Sequence, residues 1–228
     1  MTAVRPATET VTFVDTYCAA YRDLFGDVRS FDHGTRLHLG IISDLARTSL
    51  PAIGRLGGAA PQALHHFVAN AAWDVADLRQ RRLELLRQAR DGRSFVLCID
   101  ATGDQTYDMG TDDVSRHYIG NLGTIETGFV SVNAYGMIDD VTFPVLFHVF
   151  KPDRRLKPDA TYQTKPASAR ALVRALVQAG FAIQGVLADA WSGESGPFLQ
   201  TLEELACPMW WPSGTTTACA SLLATRSA

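Results

Sequence analysis

The sequence has no apolar run approaching the roughly 18 residues that a membrane-spanning helix needs. Its first residues, MTAVRPATETVTF, lack the basic-then-apolar design of a secretory signal. A cytoplasmic location without a membrane partner is therefore expected. Cysteine is sparse, and Cys18, Cys98, Cys207 and Cys219 have neither zinc-ligand nor CxxC spacing, which leaves them as small buried or incidental residues. No GxxxxGK[ST] loop is present, which argues against a P-loop nucleotidase. Gly120-Asn121-Leu122-Gly123 is too short and misplaced for a dinucleotide loop. Positive charge is not in excess either: the net charge is −3. Residues 1–95 carry 12 Lys/Arg against 10 Asp/Glu, and residues 96–228 carry 9 against 14. An acidic half that must approach phosphate needs metal ions to screen it, so this balance favours a metal site over a bare basic groove.

What is present is an ordinary apolar fraction, 46% of 228 residues, enough for one domain or for a catalytic domain with a smaller cap. Phe95-Val96-Leu97-Cys98-Ile99-Asp100 is an apolar run that ends in a carboxylate and leads into Ala101-Thr102-Gly103-Asp104. It reads as a buried strand delivering an acid to the end of a sheet. Gly185-Val186-Leu187-Ala188-Asp189, followed by Ala190-Trp191-Ser192-Gly193, repeats the design.

The residues before 95 read as helical. Val11, Val14, Cys18, Tyr21 and Phe25 recur at steps of three and four, and Gly26-Asp27 ends that helix. A second spans Phe31 to Ala46, and a short third opens at Pro51 and ends at Gly57-Gly58. Pro61 starts PQALHHFVAN, where the adjacent His65 and His66 point to different helix faces, a poor arrangement for metal ligands. Asn70 is the expected N-cap of a long helix over 71–90, with Val75, Leu78, Leu85, Leu86 and Ala89 as its buried stripe. Its Arg79, Arg81, Arg82, Arg87 and Arg90 read as a solvated face or as phosphate contacts.

After Asp104 a polar loop, QTYDMGTDDVSRHYIGNLG, is expected. GFVSVNAYG and VTFPVLFHVF form a hairpin around Met137-Ile138-Asp139-Asp140. Lys151 to Lys165 reads as a linker, Ser168 to Gly180 as an amphipathic helix stopped by Gly180, and Gly196 to Leu205 as a last helix. From residue 95 the order is strand, hairpin, helix, strand, helix. The fold class is α/β (α+β): a ribonuclease-H-like mixed sheet with helices, preceded by an all-helical region. A right-handed crossover would bring the Asp189 strand alongside the Asp100 strand in parallel.

Two carboxylates at neighbouring strand ends repel each other unless a cation lies between them. Mg²⁺ takes oxygen ligands and is held by one or two carboxylates plus substrate phosphate, which suits phosphodiester cleavage. Strand-end aspartates also occur for capping, so spacing alone leaves both readings open. A third acid normally completes such a site, and Asp104, Glu194 and Asp108 are the candidates. A haloacid-dehalogenase-type phosphatase wants a second Asp two residues after the first, where Thr102 stands.

The chain resembles bacterial insertion-sequence transposases of the DDE superfamily, in the subgroup with a ribonuclease-H-like endonuclease domain. The resemblance covers about residues 10–208. It runs through SLPAIGRLGG, QALHHFVANAAWDVADLRQRRLELL, CIDATGDQTYDMG, SRHYIGNLGTIETGFVSVNAYG, TFPVLFHVFKP, YQTKP and VLADAWSGES. It implies metal-dependent DNA cleavage and strand transfer, with Asp100 and Asp189 as catalytic acids and ligands of Mg²⁺ or Mn²⁺. It implies the element's terminal repeats and target DNA as partners, and leaves room for a homo-oligomer. Three departures stand out: Ala101 where a second acid or similar group is frequent, QTYDMG where lysines are usual, and Ser192 where Tyr is common.

On this reading residues 1–94 form a helical region that contributes DNA-end contacts, and 95–208 an incomplete catalytic domain. Residues 209–228 form an aberrant tail without strand or helix periodicity. The third acid, a Glu, is expected well downstream and is not identifiable. The genetic code offers a reason. Reading from the third base of the Met209 codon through Trp210 and Trp211 forces Val-Val-Ala, and the next codons permit Ile-Arg-Asn-Asn-His-Gly-Val. A truncated, frameshifted gene copy is thus one expectation, with marginal stability from an unpaired sheet edge. The alternative to an active transposase is a catalytically inactive remnant that acts at most as a DNA-binding or oligomerising module.

Overall fold

The structure is a computed structural model, and it describes residues 12–107, 113–120, 122–153, 156 and 161–210. The chain divides into two compact units, residues 1–82 and 83–228, and each is described by itself.

The first unit is helical. α1 spans Thr12–Ala19, a single 3₁₀ turn Arg22–Leu24, α2 Val28–Ile41, α3 Leu50–Gly57 and α4 Pro61–Asn70. α2 starts earlier than its apolar periodicity suggests because Asp27 caps it, accepting hydrogen bonds from Ser30 N and Ser30 Oγ. Gly58 ends α3 in the left-handed region, with φ +65°. The core of this unit holds Val14, Cys18, Ile53, Leu64 and Phe67. Gly40 lets α2 approach α3, since a Cβ there would run into the Ile53 side chain. His65 and His66 are both exposed.

α5 spans Val75–Arg90, and two expectations about it are corrected. Asn70 is the last residue of α4, and the cap is Asp74, whose Oδ1 accepts from Ala76 N and Asp77 N. The buried stripe does not run through Val75 and Ala89, which are exposed; Leu83 is the buried residue, with Leu86 packed beside it. Helical periodicity alone did not select the correct face, because the division between the units falls within this helix. Arg81 is anchored rather than free, pairing with Asp23 at 2.8 Å and donating to Ala20 O.

The second unit is built on a mixed sheet. β1 covers Phe95–Gln105, β2 Ser115–Ile119, β3 Thr124–Ile138, β4 Val141–Phe150, β5 Ile183–Ala188 and β6 Met209–Trp210. The order is β2-β3-β1-β5-β6, with β4 also paired to β3. β3 and β4 form an antiparallel meander with β1, while β5 pairs with β1 in parallel and β6 with β5 in parallel. The crossover from β4 to β5 runs through α6, Lys165–Gln178. This is the expected ribonuclease-H-like arrangement of a central first strand, an antiparallel hairpin on one side and a parallel crossover strand on the other. Two short helices follow β5: α7, Ala190–Gly193, and α8, Gly196–Glu204.

Alternation along β3 is regular: from Gly128 to Ile138 every second residue is buried. That inner face joins Phe95, Leu97, Ile99, Val132, Ala134, Val186 and Ala188 to Leu172, Val173 and Leu176 of α6 and Phe198 and Leu202 of α8. Phe95 sits edge-on to Phe143 and Phe181, with centroids 5.6 and 5.8 Å away. Gly136 makes room for the Phe143 ring, over which the Arg90 guanidinium lies at 5.1 Å. Pro144 is tolerated within β4 because the register shifts beside it, at Ala134/Tyr135.

Two readings of the chain change here. Part of the polar loop after Asp104 is strand β2, paired with Thr124–Gly128. Its hairpin folds back over β1: the Ile119 side chain lies 3.4 Å from where a Cβ of Gly103 would stand. The fold-back needs Gly128, whose Cβ would collide with the Asp104 carbonyl oxygen. The second change concerns the tail, whose first residues Met209 and Trp210 do pair as a strand, beside Val186 and Leu187. A two-residue parallel bridge uses backbone groups alone, so side-chain periodicity gave no sign of it. Asp108 and residues 211–228 lie outside the described residues.

Candidate active site

The site begins with register. Ile99 of β1 stands opposite Ala188 of β5, and the next residue on each chain is an aspartate, Asp100 and Asp189. Apolar burial fixes both strands, so the two acids lie side by side: Asp189 follows the end of β5, while Asp100 lies within β1, which was expected to end there but runs on to Gln105 because residues 101–105 pair with β3. Their side chains are held differently. Asp100 Oδ1 accepts a hydrogen bond from the following amide, Ala101 N, at 2.8 Å. Asp189 Oδ1 accepts from Ser192 N at 2.9 Å, and its carbonyl accepts from Gly193 N at 2.9 Å, so Asp189 caps α7. Capping and site geometry thus coexist in one residue.

Electrostatics record the closeness of the pair. Burial pushes the Asp100 carboxyl above the ordinary carboxylate range, and the negative charge of Asp189 adds to the effect. The bond from Ala101 N opposes it. Across β1, Asp100 faces Asn133 of β3, whose side-chain amide donates to Ser131 Oγ at 3.0 Å. Thr102 and Ser131 continue this polar strip two residues further on. Below it, the hydrogen bond between buried Ser168 of α6 and His148 Nδ1 of β4, at 2.9 Å, fastens the crossover helix to the sheet.

Sequence reasoning passed over Lys165, which opens α6. Thr164 caps that helix by accepting from Ala167 N at 3.3 Å. Lys165 is half-buried, and its ammonium lies 5.9 Å from the Phe150 ring centroid. Burial lowers its pKa, and the Asp189 carboxylate works the other way. The sequence signal was slight: a lysine before a proline reads as linker.

Two of the candidates for a third acid, Asp104 and Glu194, do not join the pair. Both are exposed, and among the described residues no group of three or more His, Cys, Asp or Glu gathers as ligands. Two hard oxygen donors fit a divalent cation that draws its other ligands from water and substrate phosphate. Asp100, disfavoured as an anion where it stands, is suited to such a partner.

The sheet is that of an α/β domain of ribonuclease-H type, and it sets Asp100, within β1, beside Asp189, just past the end of β5. The chain belongs to the DDE superfamily endonuclease family, whose model matches residues 23–210. It is 48% identical over 207 residues to a probable transposase for insertion sequence element IS701 from Microchaete diplosiphon, covering 90% of this chain and 54% of that protein. The chain thus spans about half the length of this curated relative. A crystal structure of a pre-cleavage Mos1 transpososome matches 89% of this chain and 68% of its own at 13% identity, with a TM-score of 0.26. Family members generally use divalent metals. No helix among the described residues is long and apolar enough to cross a membrane.

Proposed function

We propose that this chain carries the DNA-cleaving core of an insertion-sequence transposase, acting in metal-dependent cleavage and strand transfer. Asp100 and Asp189 are the catalytic acids and would hold Mg²⁺ or Mn²⁺. Such a metal, held by Asp100 and Asp189, would supply an activated water and charge stabilisation for the leaving oxygen. The single observation that supports this is the parallel pairing of β1 with β5, with Ile99 opposite Ala188 and an aspartate next on each strand. The partners are the element's terminal repeats and target DNA, with the helical region 1–94 contributing end contacts.

The test is nicking of a supercoiled plasmid carrying the element's ends. Activity should require Mg²⁺ or Mn²⁺ and disappear in Asp100→Asn and in Asp189→Asn. Activity that survives either substitution refutes the assignment. A second reading has its own support, because neither Asp104 nor Glu194 joins the pair. On that reading the chain binds DNA or oligomerises without cutting, and retained DNA binding with no nicking selects it.

A further inference from the structure

Lys165 has no counterpart in the acid-pair reading. Its stem leaves the capped first turn of α6, and its ammonium is fixed at cation–π range over Phe150. α6 packs against α7, the helix that Asp189 caps. Phe150 ends β4, which runs in the same direction as β1 and β5, so Lys165 beside it stands at the sheet end toward which both acids lie, and among the described residues it closes no ion pair. A half-buried ammonium has given up part of its hydration, and an anion is the partner that offsets that loss most strongly. Asp189 uses Oδ1 to cap α7 and closes no ion pair with Lys165 among the described residues.

Charge balance identifies the anion. Two carboxylates and one ammonium leave a single net negative charge. A divalent cation on the acids turns this into a single positive charge, which matches one phosphodiester. We propose that Lys165 is a phosphate-contacting residue of this site, holding a non-bridging oxygen of the DNA backbone beside Asp100 and Asp189. This rests on the DNA reading above.

The experiment measures binding of the full chain to a fluorescently labelled DNA duplex by anisotropy, in Ca²⁺ and across a potassium chloride series. Lys165→Met keeps an unbranched apolar stem over Phe150, Lys165→Gln removes the charge with a different stem, and Lys165→Arg keeps the charge. In both uncharged variants the slope of log K against log salt should fall in magnitude by about one, the signature of one lost phosphate contact. Affinity should weaken alike for unrelated duplex sequences. Lys165→Arg should keep the wild-type slope. A packing role alone would move the melting temperature and leave the slope unchanged. If the wild type binds DNA and both uncharged variants keep its slope and affinity, the proposal is overturned while the DNA reading stands. If the wild type does not bind DNA, that reading fails and takes the proposal with it.

Discussion

Phe95→Ala tests whether the sheet that aligns the acids is held by the aromatic cluster at the root of β1. Phe95 is 1% exposed and meets Phe143 and Phe181 edge-on. Truncating a buried phenyl ring costs about 3–5 kcal/mol through lost transfer energy and the cavity left behind. Each edge-on pair contributes a further ~0.5–1.5 kcal/mol beyond area burial, which places this variant at the upper end of that range. For a unit of this size each kcal/mol lowers the melting temperature by about 2–4 °C, so a fall of roughly 10–20 °C is expected. Phe147 is the control: it belongs to the same sheet but is 54% exposed. Phe147→Ala should stay within about 0.5 kcal/mol of wild type. Urea unfolding followed by circular dichroism measures both. A Phe95→Ala cost below about 1.5 kcal/mol, or a Phe147→Ala cost equal to it, refutes the account of where the core lies.

Asp100→Asn should stabilise the chain at neutral pH in EDTA while removing metal-dependent activity. The native carboxyl binds its proton more tightly than the unfolded one. Its contribution is therefore full below the unfolded value of about 4 and is lost as pH rises through the raised native value. The melting-temperature advantage of Asp100→Asn should be clear at pH 7 and vanish below about pH 4; a variant less stable than wild type at pH 7 contradicts the cause given. Gly128→Ala should cost about 1–3 kcal/mol in urea unfolding, because the new Cβ meets backbone that cannot turn aside. Gly120→Ala, with nothing within 4 Å, should change stability by less than about 0.5 kcal/mol, and equal effects would remove the case for the fold-back.

The apolar runs of the second unit were legible because each strand buried on its inner face announces itself. The run ending in Asp189, the hairpin around Asp139-Asp140 and the Gly180 stop after α6 appear where residue pattern puts them, whereas the run to Asp100 forms a strand that continues to Gln105 because residues 101–105 pair with β3. β2 was not legible: Ser115-Arg116-His117-Tyr118-Ile119 has polar residues at its centre and becomes a strand through pairing with Thr124–Gly128. α5 shows the opposite failure. Its leucines permit more than one stripe, and tertiary packing chose Leu83 and Leu86. Lys165 was hidden because the crossover, rather than adjacency in the chain, brings the start of α6 to the end of the sheet where Asp189 lies. The acid pair itself was readable only as far as two carboxylates. Which further group completes it depends on contacts that no local pattern encodes.

β1 also sets the order in which the site comes into being. Leu97 has Gly136 on one side and Val186 on the other. β3 returns to β1 over residues 106–123, whereas β5 must be brought back over residues 106–182 and across α6, at a higher loop-closure cost. Asp100 therefore belongs to the part of the sheet that forms locally, and Asp189 to the part that docks late. An opening that releases β5 and leaves the meander intact separates the two acids without global unfolding. Amides of β5 should then exchange with solvent before those of β3, and the ability to pair the carboxylates should be lost with them.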